Sequence, residues 1–598
     1  MRRAAVSEAP GYSGIVSIPA NITQLLARPL GPRGSRGMVG SADPTAELTP
    51  VAAAVLAAIP AWWSARATRA GLAGEWTDVH FAVDVTPPLV LGETPPLEPD
   101  WALLTAEQVG AAYVESLASE TRARHGRHYT PHELAGELWS MTRAALGMKQ
   151  PVMQLPGLVR DPACGAGALL LPALREHLAA SAAIDPRLVL GRLPSLIEGI
   201  DSDPAAVWIA NVVLAAEMLP TLARIPEAHR RPLPALAHVG DGLAPDRAPA
   251  RAILMNPPYG RVRLSEADRA RFAKSLYGHA NLYGMFMAAG AESLDSGGVL
   301  SALVPTSFTA GRYFEPLRAH LTSQLRLESV AFVADRSGVF TSVLQETCLA
   351  TLTRRRVRKV TVRAIGSAVE EVATIASPIG GNPWILPRRS DLAPVAAAAA
   401  TLPNTLLSAG WKVSTGPLVW NRRKDDLFAR PANGRHQIVW AADIDGGSVH
   451  RDASRAGTRY LALHSERDRH VMLTTTPVVL VQRTTAPEQQ RRLVVAELTE
   501  DDLARYSGGV VVENHVNIIK PLGDEQLLSR RLLTRILSTD ALDKLVRCIS
   551  GSVALSAYEL ESITLPDAQT LNAWENLPDQ ELERAVIRTY GLPEQPAK

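Results

Sequence analysis

What most constrains the fold of this chain is a rhythm. Between residues 125 and 375 short apolar runs alternate with longer helical stretches. Ser195–Gly199 leads into Asp201, and Ala252–Met255 leads into an Asn-Pro-Pro-Tyr segment. Gly298–Val304 is another run, and Leu349–Leu352 precedes the basic stretch Arg354–Lys359. Strand, helix, strand in this order predicts a doubly wound α/β sheet. Ligands of such sheets sit beyond the C-terminal ends of the strands, so the residues that end each run are the candidate site.

The first such ending is Asp161-Pro162-Ala163-Cys164-Gly165-Ala166-Gly167, followed by an apolar helix. Small residues after a strand let the backbone approach a ligand closely; a purely structural turn has the same composition. The second is Ile200-Asp201-Ser202-Asp203-Pro204. A carboxylate at a strand tip can accept both hydroxyls of a ribose, which we assign to Asp201. Asp203 ahead of Pro204 fits a helix N-cap with Pro in the first turn. The third, Gly240-Asp241-Gly242, could accept a hydrogen bond from an adenine amine or be an ordinary turn.

The fourth, Asn256-Pro257-Pro258-Tyr259-Gly260, is the specific one. Two prolines fix the backbone and remove two donors, leaving carbonyls as acceptors. The Asn256 side-chain oxygen and the Pro257 carbonyl can then accept both hydrogens of a planar NH₂ group. That pulls the amine toward tetrahedral geometry and aims its lone pair at an electrophile. The Tyr259 ring can stack on the aromatic system that bears the amine.

Taken in this order, these motifs resemble S-adenosylmethionine-dependent amino-methyltransferases, specifically the TaqI-type DNA adenine-N6 methyltransferases of the γ arrangement. The resemblance covers about residues 125–375 well and 410–565 in outline, and does not reach the first hundred. It implies a Rossmann-like methyltransferase domain with S-adenosylmethionine as cofactor. Gly126-Arg127-His128-Tyr129-Thr130-Pro131 and the helix after it match the family segment that touches the cofactor's methionine end. The resemblance thus implies cofactor contacts at Tyr129, Thr130, Pro131, Asp161, Pro162, Ala163, Gly165, Gly167, Asp201, Asp241 and Gly242. Asn281-Leu282-Tyr283-Gly284-Met285-Phe286 and Gly297–Leu300 match in order. Gly338-Val339-Phe340 matches the segment whose aromatic stacks on a flipped adenine; a core role for Phe340 is the alternative. Catalytic roles fall to Asn256, Pro257, Pro258, Tyr259 and Phe340.

The expected domain plan is a disordered leader (1–50), a helical extension (51–120), the catalytic domain (121–375) and a linker (376–410). An α+β target recognition domain (411–570) and a C-terminal helical tail (571–598) follow. Ser414, Thr415, Arg422, Arg423 and Lys424 lie in a segment resembling one common in type II modification methylases, where a phosphate can be approached; the three cations could equally be a solvated edge. Arg483, Asn514 and Asn517 carry groups suited to bidentate contact with guanine or adenine.

Composition narrows the alternatives. The formal charge is only +2 over 598 residues, so duplex DNA would be gripped by local basic patches. The three cysteines are far apart and form no metal-ligand spacing, which predicts a reducing, cytoplasmic setting and no metal. No run of about 18 uncharged apolar residues stands out, so no membrane span is expected. The Arg-rich start reads as a leader or a transit-type segment. No Asp…Glu-x-Lys nuclease pattern marks the first hundred residues, so any restriction endonuclease is expected as a separate chain. Other amine acceptors remain open: N4 of cytosine, guanine in RNA, or a protein glutamine. A DNA-binding protein that has lost catalysis is the non-enzymatic alternative.

Overall fold

The computed structural model describes residues 48–88, 99–120, 122, 129–278, 280–333, 346–485, 489–551 and 553–593. The leader expectation, the Gly126–His128 step and Phe340 with its neighbours lie outside these residues. The chain divides into two compact units. The first holds the residues up to Glu137 together with Gln150–Ala244; the second holds Leu138–Lys149 and everything from Pro245 onward. The division at 244 falls inside the expected 121–375 domain.

The first unit begins with helix α1 (Pro50–Arg69), capped by Thr49 with Pro at its start. Its Trp62 and Trp63 are fully buried, and their indole N–H groups donate to the carbonyls of Leu104 and Trp76. Helix α2 (Ala106–Ser116) starts with a capping box in which Thr105 and Gln108 satisfy each other's backbone N–H groups. Three short strands follow: β1 (Val159–Asp161), β2 (Ile197–Asp201) and β3 (Ala237–Val239). They pair in parallel in the order β3-β2-β1.

Helix α4 (Pro204–Ala223) crosses from β2 to β3 and is buried along most of its length; α3 (His132–Ala145) precedes β1. By length and composition alone α1 and α4 are apolar enough to cross a membrane. Half of the most apolar stretch of α1 and 89% of that of α4 are buried inside the protein. Glu217 interrupts the apolar run of α4, consistent with the expectation of no long uncharged stretch, and its carboxylate pairs with Arg175.

The second unit carries strands β4 (Ala250–Met255), β5 (Leu294–Pro305), β6 (Arg326–Val333), β7 (Thr347–Thr353), β8 (Lys359–Ile365) and β9 (Val369–Ala376). Their order is β4-β5-β7-β6-β8-β9, with β4 parallel to β5 and β7 antiparallel to both neighbours. Both faces of β7 are buried, in keeping with its mostly apolar, threonine-interrupted sequence. The α/β expectation is correct.

Residues 376–410 are packed where a linker was expected. Trp384 and Leu386 donate backbone bonds to Thr309 and Cys548. Val395, Ala399, Leu406 and Ala409 share one core with Leu571, Trp574, Val586 and Tyr590 of the C-terminal tail. The Pro and Ala richness that suggested a spacer therefore supplies small side chains for close packing. Between them lie a six-stranded sheet (Trp411–Thr415, Val516–Pro521, Val478–Gln482, Val495–Leu498, Gly447–Val449, Ile444–Asp445) and a five-stranded one, an α+β arrangement as expected.

Candidate active site

In the first unit the three strand endings converge. Asp161 is fully buried and its Oδ1 accepts from the Ala163 N–H at 3.0 Å. Burial pushes its carboxyl up to about 8; the Ala163 bond opposes the rise and the nearby Asp201 adds to it. Pro162 turns the chain and the Cys164 N–H donates to the Ile200 carbonyl, which brings the turn against β2. Gly165 and Gly167 adopt φ of 50° and 86°, the left-handed region that disfavours side chains. A Cβ on Gly165 would meet nothing within 4 Å, so open space lies over this turn.

Asp201 is held at both oxygens. Oδ2 accepts from the Gly165 N–H at 2.9 Å and Oδ1 from the Asp203 N–H at 3.0 Å. Asp203 caps α4 through Ala205, as expected, and also accepts from the Tyr113 hydroxyl. The Gly240 N–H donates to the Asp201 carbonyl, placing Asp241 and Gly242 beside it. Asp241 is exposed, with Oδ1 accepting from the Leu243 N–H. Thr130 is buried just ahead of α3, where Ala135 donates to the Pro131 carbonyl. The Tyr129 hydroxyl is buried with no hydrogen-bond partner among the described residues, and desolvation with the Glu107 carboxylate pushes its pKa well above the phenol range. Structure therefore brings Asp161, Gly165, Asp201 and Asp241 together at one edge of parallel strands.

In the second unit Asn256 directly follows β4. Its Oδ1 accepts from the Tyr259 hydroxyl at 3.0 Å, and the same hydroxyl lies 3.1 Å from the Leu303 carbonyl on β5. Pro257 is buried, while Pro258 and Tyr259 are half-buried. Burial drives the Tyr259 phenol well above its usual range, so it remains a neutral donor. Its ring meets Tyr283 edge to face at 6.1 Å and 83°, and Tyr283 stacks on Phe314 at 5.0 Å. The Tyr283 hydroxyl and Ser307 are 2.9 Å apart. Sequence reading assigned Tyr259 a ring and no hydroxyl role, and gave Tyr283 no role. The signal for Tyr283 was its place two residues past Asn281, the N-cap of α5 (Leu282–Glu292). Leu282 donates to the Gly260 carbonyl, so that helix start anchors the loop.

The proposed DNA-reading residues have mixed settings. Arg422 and Lys424 are exposed, with the Lys424 ammonium 5.9 Å from the Trp420 ring. Arg423 is bound to Asp426, Asp468 and the Ala462 carbonyl. Ser414 and Thr415 pair with Ile518 and Asn517 across the six-stranded sheet. Asn517 is fully buried; its Nδ2 donates to the Leu555 carbonyl at 3.0 Å and its Oδ1 accepts from Thr415 at 3.4 Å. Arg483 donates to the Asn514 carbonyl at 3.3 Å, and Asn514 itself sits half-buried in the turn before Val516. A Cβ on Gly416 would lie 2.2 Å from the Glu513 carbonyl, so the Ser-Thr-Gly turn is pressed against this same turn.

Residues 251–340 match the family described as Eco57I restriction-modification methylase. The matched segment contains all of β4 but its first residue, the Asn256–Tyr259 loop and α5. The chain is 25% identical over 340 residues to the type II methyltransferase M.PstI of Providencia stuartii, covering 54% of this chain and 67% of that one. It is 23% identical to the type II methyltransferase M.BsuBI of Bacillus subtilis, covering 58% and 74%. Among solved structures, the type IIL restriction-modification enzyme MmeI in complex with DNA matches with a TM-score of 0.48 and 13% identity, over 83% of this chain and 80% of that one. Homologues of this chain are therefore type II restriction–modification methyltransferases.

Proposed function

We propose that this chain transfers a methyl group from S-adenosylmethionine to the N6 amine of adenine in duplex DNA, as the modification enzyme of a restriction–modification system. The observation that carries the reading is the Asn256 amide oxygen at the end of β4, oriented by the Tyr259 hydroxyl in a loop whose prolines supply acceptors but no donors.

The first unit suits the cofactor. Open space over Gly165, backbone approach at the β1 turn and the doubly held Asp201 carboxylate match an adenosine with a ribose diol. Tyr129, Thr130 and Pro131 would face the methionine end, and Asp241 with Gly242 the adenine. The bound cofactor supplies an electrophilic sulfonium methyl, so neither a metal nor a covalent enzyme intermediate is needed. Asn256 Oδ1, oriented by the Tyr259 hydroxyl, accepts from the substrate amine. The Pro257 carbonyl accepts the second amine hydrogen. Together they localise the nitrogen lone pair that the ring otherwise withdraws. After transfer the proton leaves to water.

The base must leave the helix to be reached, at a cost of a few kcal/mol. Stacking on Tyr259, and on Phe340 as the family resemblance implies, offsets part of that cost at about 1–3 kcal/mol per contact. Arg422 and Lys424, both exposed, are assigned to backbone phosphates. A restriction endonuclease encoded separately would be the functional partner, and cytoplasmic chromosomal DNA the setting. Single-molecule sequencing of DNA from a host expressing the gene tests this reading: N6-methyladenine at one recurring sequence is expected, and unmodified adenine throughout would refute it.

A further inference from the structure

The helical extension ahead of the parallel strands lies outside the region the family resemblance covers, yet one of its side chains reaches the ribose carboxylate at one remove. Tyr113, in α2, is 1% exposed, and its hydroxyl donates to Asp203 Oδ2 at 2.8 Å. The other oxygen of Asp203 accepts from the Ala205 N–H at 3.0 Å. With both oxygens fixed, the Asp203 side chain sets its own backbone, and that backbone N–H donates to Asp201 Oδ1 at 3.0 Å. Gly165 holds the opposite oxygen of Asp201 at 2.9 Å.

We infer that Tyr113 is a positioning residue for cofactor binding: through Asp203 it fixes the Asp201 carboxylate in the orientation that accepts the two ribose hydroxyls. The inference rests on the cofactor part of the proposed function. A phenylalanine would fill the same buried space; only the hydroxyl reaches Asp203. Loss of that donor leaves a buried carboxylate oxygen short of a hydrogen bond, which favours rotation of Asp203 and releases the backbone N–H it orients. The helical extension is then part of the cofactor-binding apparatus, and the second tie of α2, the Glu107 to Arg175 ion pair, attaches it at a separate point.

The test is titration calorimetry of the full chain with S-adenosylmethionine and with S-adenosylhomocysteine, alongside thermal unfolding. Tyr113→Phe is expected to weaken both ligands about threefold to tenfold, the equivalent of one hydrogen bond. The KM for S-adenosylmethionine should rise in step while kcat stays within about twofold. Thr105→Ala serves as the control: it removes the exposed cap of the same helix and should lower the melting temperature without changing either dissociation constant. A Tyr113→Phe variant that melts lower but binds both ligands as the wild type does would overturn the inference. Equal weakening in Thr105→Ala would also overturn it, because the effect would then be general loosening. A wild-type chain that binds neither ligand overturns the cofactor reading itself, a result distinct from both.

Discussion

The loop after β4 and the strand-and-turn region around Arg483 and Asn517 were both picked out by side-chain chemistry, and the structure treats them differently. In the loop, the nominated residues act on one another: Tyr259 orients Asn256, and both lie at a strand end where a ligand can approach. In the second region much of the nominated chemistry is engaged internally. Asn517 is buried and bonded to Leu555 and Thr415, Arg423 is bound by two aspartates, and Arg483 holds the Asn514 carbonyl. Only Arg422 and Lys424 stay exposed among the nominated cations. A site formed by consecutive residues is constrained by local backbone chemistry. A surface formed by long side chains is decided by which partners the tertiary fold brings near.

The contrast can be broken or sharpened by substitution. Asn256→Ala should lower kcat about 10²- to 10³-fold, the range seen when one preorganised polar contact to the reacting group is lost. Equilibrium binding of S-adenosylmethionine should change less than about twofold, as measured by calorimetry. On the other side, Arg459→Ala removes a framework arginine whose Nη1 lies 2.8 Å from both oxygens of Asp443, each partner being almost fully buried. Leaving Asp443 buried and uncompensated should cost about 3–5 kcal/mol in denaturant unfolding. A change under 1 kcal/mol would mean that the region's arginines are not framework.

Tyr259→Phe keeps the ring and removes the hydroxyl. It should lower kcat about tenfold, the equivalent of one charge-neutral hydrogen bond that orients the acceptor. An unchanged rate would reduce Tyr259 to its ring. The smallest effect is expected from Arg422→Ala: unaltered stability, DNA binding weakened a few-fold, and a salt slope of log K reduced by about 1, read from titrations at several salt concentrations.

How much was legible follows the same division. The strand endings were readable because Asp201 and Asn256 follow apolar runs and Asp161 and Asp241 sit in Gly-containing turns; the structure puts Asp161, Asp201 and Asn256 at strand C-terminal ends and Asp241 two residues beyond one. The Asp203 cap was readable from the proline after it. The packed segment 376–410 was not, because alanine and proline composition is shared by spacers and by close-packed helices; only the contacts of Val395 and Ala399 with the C-terminal helices distinguish them. Tyr113 was invisible for another reason. It stands ninety positions before Asp203, and nothing local to either residue announces the bond.

The central claim is the acceptor, and labelled transfer measures it most directly. Purified chain, S-adenosylmethionine with a labelled methyl and mixed-sequence duplex DNA are incubated, and the DNA is digested to nucleosides and separated. The account predicts label in N6-methyldeoxyadenosine, and its loss with Asn256→Ala. Label confined to N4-methyldeoxycytidine, to RNA or to protein glutamine would contradict it.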